Sequence, residues 1–172
     1  FPHVYTVDDY VTINEDSDST IRVASNDLNI QWSEDSLYIS QEPTNGTAVV
    51  VDDSLISYSP IQDYFCMDTI GYIITNGTES DSSSILLTVL PVNDPPELAS
   101  IANQVIEEDG ELNLSLTAQA TDIDSETLTL AISENENYSF SIDDLSFTIE
   151  PNDDYNGSIE IEVSVSDGQY TI

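Results

Sequence analysis

Carboxylates are the one reactive group this chain has in quantity: 34 Asp and Glu stand against a single basic residue, Arg22, for a formal net charge of −33. Asp122 and Asp124 sit at i and i+2, so in an extended segment both side chains project the same way, as two ligands of one ion should. Further acids are adjacent in sequence, at Asp8-Asp9, Glu15-Asp16, Glu107-Glu108-Asp109, Asp143-Asp144 and Asp153-Asp154. Oxygen donors of this kind suit a hard divalent cation, and Ca2+ takes about six to eight oxygens gathered from several segments. Self-repulsion at such a charge strains the compact state unless cations neutralise it.

The absent residue types exclude most other chemistry. Without Lys there is no Schiff base, no Walker P-loop and no Lys-Asn isopeptide crosslink within the chain. His3 is the only histidine and lies at the terminus, which excludes His-based triads and multi-His zinc sites; a tag or disordered end is expected there. Cys66 is alone, so no intramolecular disulfide forms, and it reads as a small buried hydrophobe. Carboxylate pairs at glycosidase spacing arise anywhere in so acidic a chain and are no evidence of hydrolysis. No catalytic residues are assigned, and the expectation is a protein that is not an enzyme. Nucleic acid and anionic membranes need Lys/Arg clusters, which are missing. No run approaches the roughly 18 apolar residues of a membrane helix, and the start is not a signal peptide, so a mature piece or an excised fragment is expected.

The acids are interleaved with 39% apolar residues, which argues for folded domains. Short apolar/polar alternations bounded by turn signals give strands and not helices. The expected strands are Tyr10 to Ile13, Thr20 to Ala24, Leu37 to Ser40, Ala48 to Val51, Leu55 to Ser59, Ile70 to Thr75 and Ile85 to Leu90. Later, Leu112/Leu114/Leu116, Leu128/Leu130/Ile132, Phe140/Ile142, Phe147/Ile149 and Ile159/Ile161/Val163/Val165 alternate with polar residues. Asn45-Gly46 and Asn76-Gly77 are turn dipeptides that tolerate positive φ. Leu90-Pro91-Val92-Asn93-Asp94-Pro95-Pro96 holds three of the seven prolines and reads as a stiff hinge.

The halves repeat. Ile13-Asn14-Glu15-Asp16 matches Ile106-Glu107-Glu108-Asp109 at a shift of 93 (13 to 106), and from Leu37/Leu128 the shift is 91 (37 to 128). It stays there through Pro60/Pro151, Asp63-Tyr64/Asp154-Tyr155 and Asn76-Gly77/Asp167-Gly168. The expected domains are 1–91, a linker at 92–96, and 97–172. The partner of Ile85 to Leu90 would lie past residue 172, so the second sandwich lacks its last strand, through a fragment boundary or through an edge at Ile159 to Val165 that accepts a strand from another chain.

Asn93-Asp94-Pro95-Pro96, Glu108-Asp109, Ala120-Thr121-Asp122-Ile123-Asp124, Pro151 to Gly157 and Val165-Ser166-Asp167-Gly168 together resemble the cadherin-like tandem repeat of large bacterial surface proteins. The resemblance covers nearly the whole chain. It implies all-β architecture: two tandem seven-stranded Greek-key sandwiches of Ig/cadherin type with Ca2+ at the joint. It also implies the ligands: Glu15 and Asp63 from the first domain, Asn93 and Asp94 from the hinge, and Asp122, Asp124 and Asp167 from the second. Pro91 and Pro95 replace acidic and amide positions of the cadherin linker, which implies one or two ions at this joint instead of three. Asp27, Asn29 and Asn76 stand where the second domain has Asp122, Asp124 and Asp167, so a site facing the N-terminus should be weaker. Glu108 and Asp154 would face a following repeat.

Tyr64 and Tyr155 are expected to pack and hydrogen-bond at sandwich corners. Trp32 reads as a cover over one end of the core, or as a sugar or partner contact. The five Asn-x-Ser/Thr matches, at Asn45, Asn76, Asn113, Asn137 and Asn156, are expected by chance in this composition. The function expected is a non-catalytic, calcium-rigidified spacer or stalk in adhesion, extracellular or on a bacterial surface, with neighbouring repeats as partners. A module binding carbohydrate or a like protein is the alternative. The acidity would suit a saline or cold marine setting.

Overall fold

Period-two alternation dictates strands, and every regular element among the described residues is a strand. The computed structural model describes residues 3–23, 25–31 and 35–172; Trp32 and Ala24, the end of one expected strand, lie outside them. The chain divides into two units, Phe1–Val92 and Asn93–Ile172.

In the first unit β1 (Asp9–Asn14), β3 (Ser36–Gln41), β6 (Cys66–Thr75) and β7 (Ser80–Leu90) form one sheet in the order β1-β7-β6-β3. A second sheet, β2-β5-β4, holds β2 (Ser19–Arg22), β4 (Gly46–Asp52) and β5 (Leu55–Pro60). All pairings are antiparallel except β1 with β7, which run parallel from Asp9↔Ile85 to Asn14↔Leu90. Inward positions of both sheets meet in one core, with Ile56, Tyr58, Ile70, Tyr72, Ile74, Ile85 and Leu87 fully buried. This is a seven-stranded sandwich, as the alternation predicts.

β6 and β7 start earlier than the apolar pattern indicates. Asp68 takes an inward position in β6, and the serines of β7 hide its period. Cys66 is exposed, contrary to the expectation of a buried thiol, because it opens β6 two positions before the core begins at Asp68 and Ile70.

Asp68 is a carboxylate at an inward strand position, 6% exposed. Its carboxylate accepts backbone N–H bonds from Thr44 (3.0 Å), Asn45 (2.8 Å) and Thr69 (2.8 Å), and the Tyr58 hydroxyl at 2.9 Å. Tyr58 in turn packs its ring where a Cβ on Gly46 would stand, so only glycine opens β4 there. Burial pushes the Asp68 carboxyl up, but these donors outweigh it and hold the group below its ordinary range. By the 91-residue shift, Tyr58 and Asp68 correspond to Ile149 and Ile159, both on the second core.

In the second unit β8 (Glu97–Leu98) pairs with β10 (Ala120–Thr121), β11 (Thr129–Ile132) with β14 (Val163–Ser166), and β12 (Tyr138–Asp143), β13 (Ser146–Pro151) and β9 (Leu112–Ser115) lie in the order β12-β13-β9. Leu116, Leu130, Phe147, Ile149 and Val165 are among its buried core. Ile159 and Ile161 pack on that core but are not in a strand. Their counterparts at the start of β6 are held by β7, and the equivalent pairing begins here only at the Ser166–Thr171 bridge. Residues 102–107, which match β1, are likewise without a strand, and Val105 is 95% exposed.

Asp68→Ala takes the carboxylate acceptor from three part-buried N–H groups, leaving the Tyr58 hydroxyl only its longer bond to the Asn45 carbonyl at 3.3 Å, and should cost the first unit about 2–3 kcal/mol in chemical denaturation. A carboxyl held below its unfolded value stabilises at pH above about 3.9 and loses that contribution as pH falls through the folded value. Acid titration of wild type against Asp68→Asn should show this component only in wild type.

Candidate metal-ligating clusters

Glu15 follows β1 directly. Its backbone N–H donates to Leu90 (3.0 Å), and its Oε1 accepts the Val92 N–H at 2.7 Å. The side chain is only 2% exposed, and Oε2 has no hydrogen-bond partner among the described residues. The next residue, Asp16, accepts the N–H of Asp63 at 3.0 Å, and the two offer carboxylate oxygens within 4.8 Å of each other. Both hold left-handed backbone, φ 54° and 58°, which Asp tolerates because its short side chain bonds locally. Glu15 and Asp63 thus take neighbouring places in the first unit.

The same contact recurs in the second unit. Asp109 accepts the N–H of Asp154 at 3.3 Å, with φ 59° at both residues. Asp16 and Asp109 were not singled out as ligands in the sequence, although the repeat of Glu15-Asp16 as Glu108-Asp109 carried the signal.

The second unit gathers the other five expected ligands at its first residues. The Asn93 amide donates to Asp167 Oδ2 at 2.6 Å and to the Asp94 carbonyl at 3.0 Å. The Asp94 N–H donates to Asp124 Oδ2 at 2.8 Å, and the Asp124 N–H to Asp122 Oδ1 at 2.8 Å. Asp122 Oδ1 also takes the Ser125 N–H at 2.7 Å, while its Oδ2 is buried with no hydrogen-bond partner among the described residues. The Asn93 amide, with the N–H groups of Tyr170 and Gln169, holds the Asp167 carboxyl below its ordinary range.

The orphaned oxygens of Glu15 and Asp122 are what the fit of a cation turns on, since a buried lone pair without a donor is costly. The donor set is all oxygen and mostly anionic, which suits Ca2+ and not the softer metals that favour thiolate or imidazole.

Elsewhere in the first unit the expected equivalence is only partial. Asn76 matches Asp167, but Asp27 is used differently from Asp122: its Oδ1 takes the Val7 N–H at 2.7 Å, and its Oδ2 faces the Tyr72 hydroxyl at 3.4 Å. That hydroxyl also reaches Asp9 Oδ2 at 3.1 Å. Burial raises the carboxyls of both Asp9 and Asp27, the Tyr72 bond opposing it. Neither the buried Asp9 nor its tie to Tyr72 was legible in the sequence. Tyr64 and Tyr155 stand at corresponding corners, donating to Met67 (2.7 Å) and Ser158 (3.3 Å). His3, expected to be a tag or disordered, bonds Glu79 at 2.9 Å.

The family model described as Bacterial Ig domain matches twice, at residues 2–88 and 93–171. No curated protein matches the sequence. Among solved structures, Drosophila N-cadherin EC1-4 is similar at TM-score 0.57 and 16% identity, over 93% of this chain and 43% of that one. The extracellular cadherin domains 1-4 of protocadherin gamma B7 follow at TM-score 0.51 and 17% identity, over 99% and 46%. An endo-fucoidan hydrolase of glycoside hydrolase family 107 matches at TM-score 0.40 and 14% identity, over 98% of this chain and 26% of its own. The chain thus spans less than half the length of these structures, and at such identities the likeness is one of fold alone.

Glu15→Gln keeps an oxygen for the Val92 N–H while removing the charge of a buried, half-satisfied carboxylate. In metal-free buffer its thermal midpoint should equal or exceed wild type, whereas Glu15→Ala, which strands that N–H, should lose about 1–2 kcal/mol.

Proposed function

The chain belongs, in both halves, to the bacterial Ig domain family, and on that footing we propose that it is a non-catalytic extracellular spacer whose joint is stiffened by Ca2+. The carrying observation is the pair of orphaned buried oxygens, Glu15 Oε2 and Asp122 Oδ2, each set in its own carboxylate cluster. One cluster is tied to Val92, the last residue of the first unit; the other starts at Asn93, the first of the second. Glu15, Asp16 and Asp63 on one side, and Asn93, Asp94, Asp122, Asp124 and Asp167 on the other, would hold the ions. A bound divalent cation supplies positive charge that no side chain here can. The protein groups do the rest: backbone N–H donors fix the carboxylates in place before any ion arrives, which lowers the ordering cost of binding.

In this reading the partners are neighbouring repeats of the same protein, with Asp109 and Asp154 supplying ligands toward the next. Extracellular modules of this type bind Ca2+ at about 10⁻⁴ to 10⁻³ M, sites that fill outside cells, and the reading accordingly puts the protein outside the cell or on its surface. Catalysis is not part of the proposal, since the one His, at residue 3, is engaged by Glu79 and no Lys is present.

One observation favours a second reading, a glycan-binding module. Tyr10 and Tyr38, 78% and 56% exposed, flank Thr69, Ile73, Leu86 and Thr88 on the outer face of β1-β7-β6-β3. No outward-pointing position of these strands carries an acid. An uncharged face with tyrosines and hydroxyls on so anionic a chain suits an uncharged polysaccharide.

Calcium titration by calorimetry, with small-angle scattering in parallel, tests the spacer. Binding near 10⁻⁴ to 10⁻³ M is expected to narrow the distribution of shapes, with both effects lost in Asp94→Ala; heat and scattering indifferent to calcium would remove the proposal. For the second reading, mobility in gels containing dextran or a neutral β-glucan should be retarded in wild type and restored in Tyr10→Ala/Tyr38→Ala.

A further inference from the structure

Thr75-Asn76-Gly77-Thr78-Glu79 in the first unit and Ser166-Asp167-Gly168-Gln169-Tyr170 in the second fold into the same turn. Asn76 Oδ1 accepts the N–H groups of Thr78 (3.0 Å) and Glu79 (2.9 Å), as Asp167 Oδ1 accepts those of Gln169 (2.7 Å) and Tyr170 (2.6 Å). Gly77 N–H donates to Thr75 Oγ1 at 3.1 Å, and that hydroxyl donates to the Glu79 carbonyl at 2.8 Å. Gly168 N–H donates to Ser166 Oγ at 3.1 Å, and that hydroxyl to the Tyr170 carbonyl at 2.6 Å. Both glycines are left-handed, φ 83° and 98°, with open space where a Cβ would stand. Among the side chains that make these hydrogen bonds, a hydroxyl stands at the first position of both turns and the one change of functional group is an amide against a carboxylate at the second.

We propose that Asn76 is a self-modifying site, at which attack by the Gly77 backbone nitrogen expels the side-chain amide and the turn passes to the aspartate form already present at Asp167. The nitrogen of Gly77 adds to Cγ of Asn76, and negative charge develops on Oδ1. Two backbone N–H groups already point at that oxygen, the arrangement that stabilises an oxyanion. Gly77 has no side chain to shield its nitrogen, and its N–H proton is directed at Thr75 Oγ1, an exit to solvent. The Cγ–Nδ2 bond then breaks, and ammonia leaves with the proton that Gly77 gave up. Water adds to Cγ of the resulting five-membered imide, the bond from Gly77 nitrogen to Cγ breaks, and the Gly77 N–H is restored. The sum is amide plus water to acid plus ammonia, with no oxidant or cofactor.

The turn also selects the product. Of the two imide carbonyls, the one from the side chain keeps the N–H bonds of Thr78 and Glu79 and is the more polarised, so opening yields aspartate in preference to isoaspartate. The other Asn-Gly pairs lack this arrangement. Gly46 opens β4 opposite Pro60 beneath the Tyr58 ring, and the Asn156 side chain makes no hydrogen bond among the described residues. The consequence, a further carboxylate ligand in the first unit, rests on the calcium reading; the modification itself does not.

The test is incubation of the folded chain at mildly alkaline pH, with peptide mapping that separates aspartate from isoaspartate, beside a urea-unfolded sample. Residue 76 is expected to convert, with an aspartate-to-isoaspartate ratio several-fold above that at Asn156 and above that at residue 76 in urea. Asn76→Asp, the product made genetically, should unfold at the wild-type midpoint. Retention of the amide at 76 while Asn156 converts, or mainly isoaspartate at 76, overturns the proposal. Calorimetry of Asn76→Asp with calcium reads the consequence separately: tighter binding supports the added ligand, and unchanged binding removes that consequence while leaving the mass-spectrometric result to decide the modification.

Discussion

Mutual repulsion among 34 carboxylates, with one arginine to offset it, is the constraint the architecture answers to. A sandwich has two kinds of place for an acid: loops at its ends, where charges reach water and ions, and strand positions, where they cannot. The first unit keeps the outer face of β1-β7-β6-β3 free of acids and admits Asp9, Asp68 and Asp81 at inward positions of that sheet. Each of these meets donors: Asp68 meets four, Asp9 the Tyr72 hydroxyl, and Asp81 the N–H of Thr6 at 2.9 Å and of Ser82 at 2.9 Å. Most of the other acids among the described residues lie in loops and turns or, like Asp52, at the exposed end of a strand, where they are no burden on the core.

The two repeats show how loosely that rule constrains any single position. Tyr58 and Asp68 form a buried hydrogen-bonded pair, and the corresponding Ile149 and Ile159 belong to an apolar cluster. A satisfied polar pair and a hydrophobic pair of similar bulk are alternative solutions of comparable cost, whereas a half-satisfied pair is not. The turns at Asp16/Asp63 and Asp109/Asp154 are the reverse case, the same left-handed aspartates retained in both units. At these places the core pair differs between the repeats and the corner aspartates do not, because that corner depends on left-handed backbone geometry that few residues accept.

Much of the fold was legible because alternation with period two is imposed by side-chain geometry: Leu37, Ile56, Ile70, Ile85 and Phe147 fall where it puts them. Misreadings came where polarity masks the period. The serine run of β7 and the inward Asp68 hid the beginnings of two long strands, and Cys66 looked apolar but sits beyond the core. Among the candidate ligands, the i, i+2 spacing of Asp122 and Asp124 was readable, whereas the contact of Asp16 with the Asp63 amide depends on two left-handed residues 47 positions apart. Asp9 was opaque for the same reason: its hydroxyl partner, Tyr72, comes from a strand 63 residues away.

The parallel ladder between β1 and β7 has a mechanical meaning. These strands lie near the two ends of the first unit, and their rungs run unbroken from Asp9–Ile85 to Asn14–Leu90. A pull that draws the ends apart therefore loads the rungs together in shear, whereas a hairpin pulled at its open end parts them one at a time. Tension would have to break the ladder cooperatively before the core beneath it could extend, which gives the unit resistance to drag along its length.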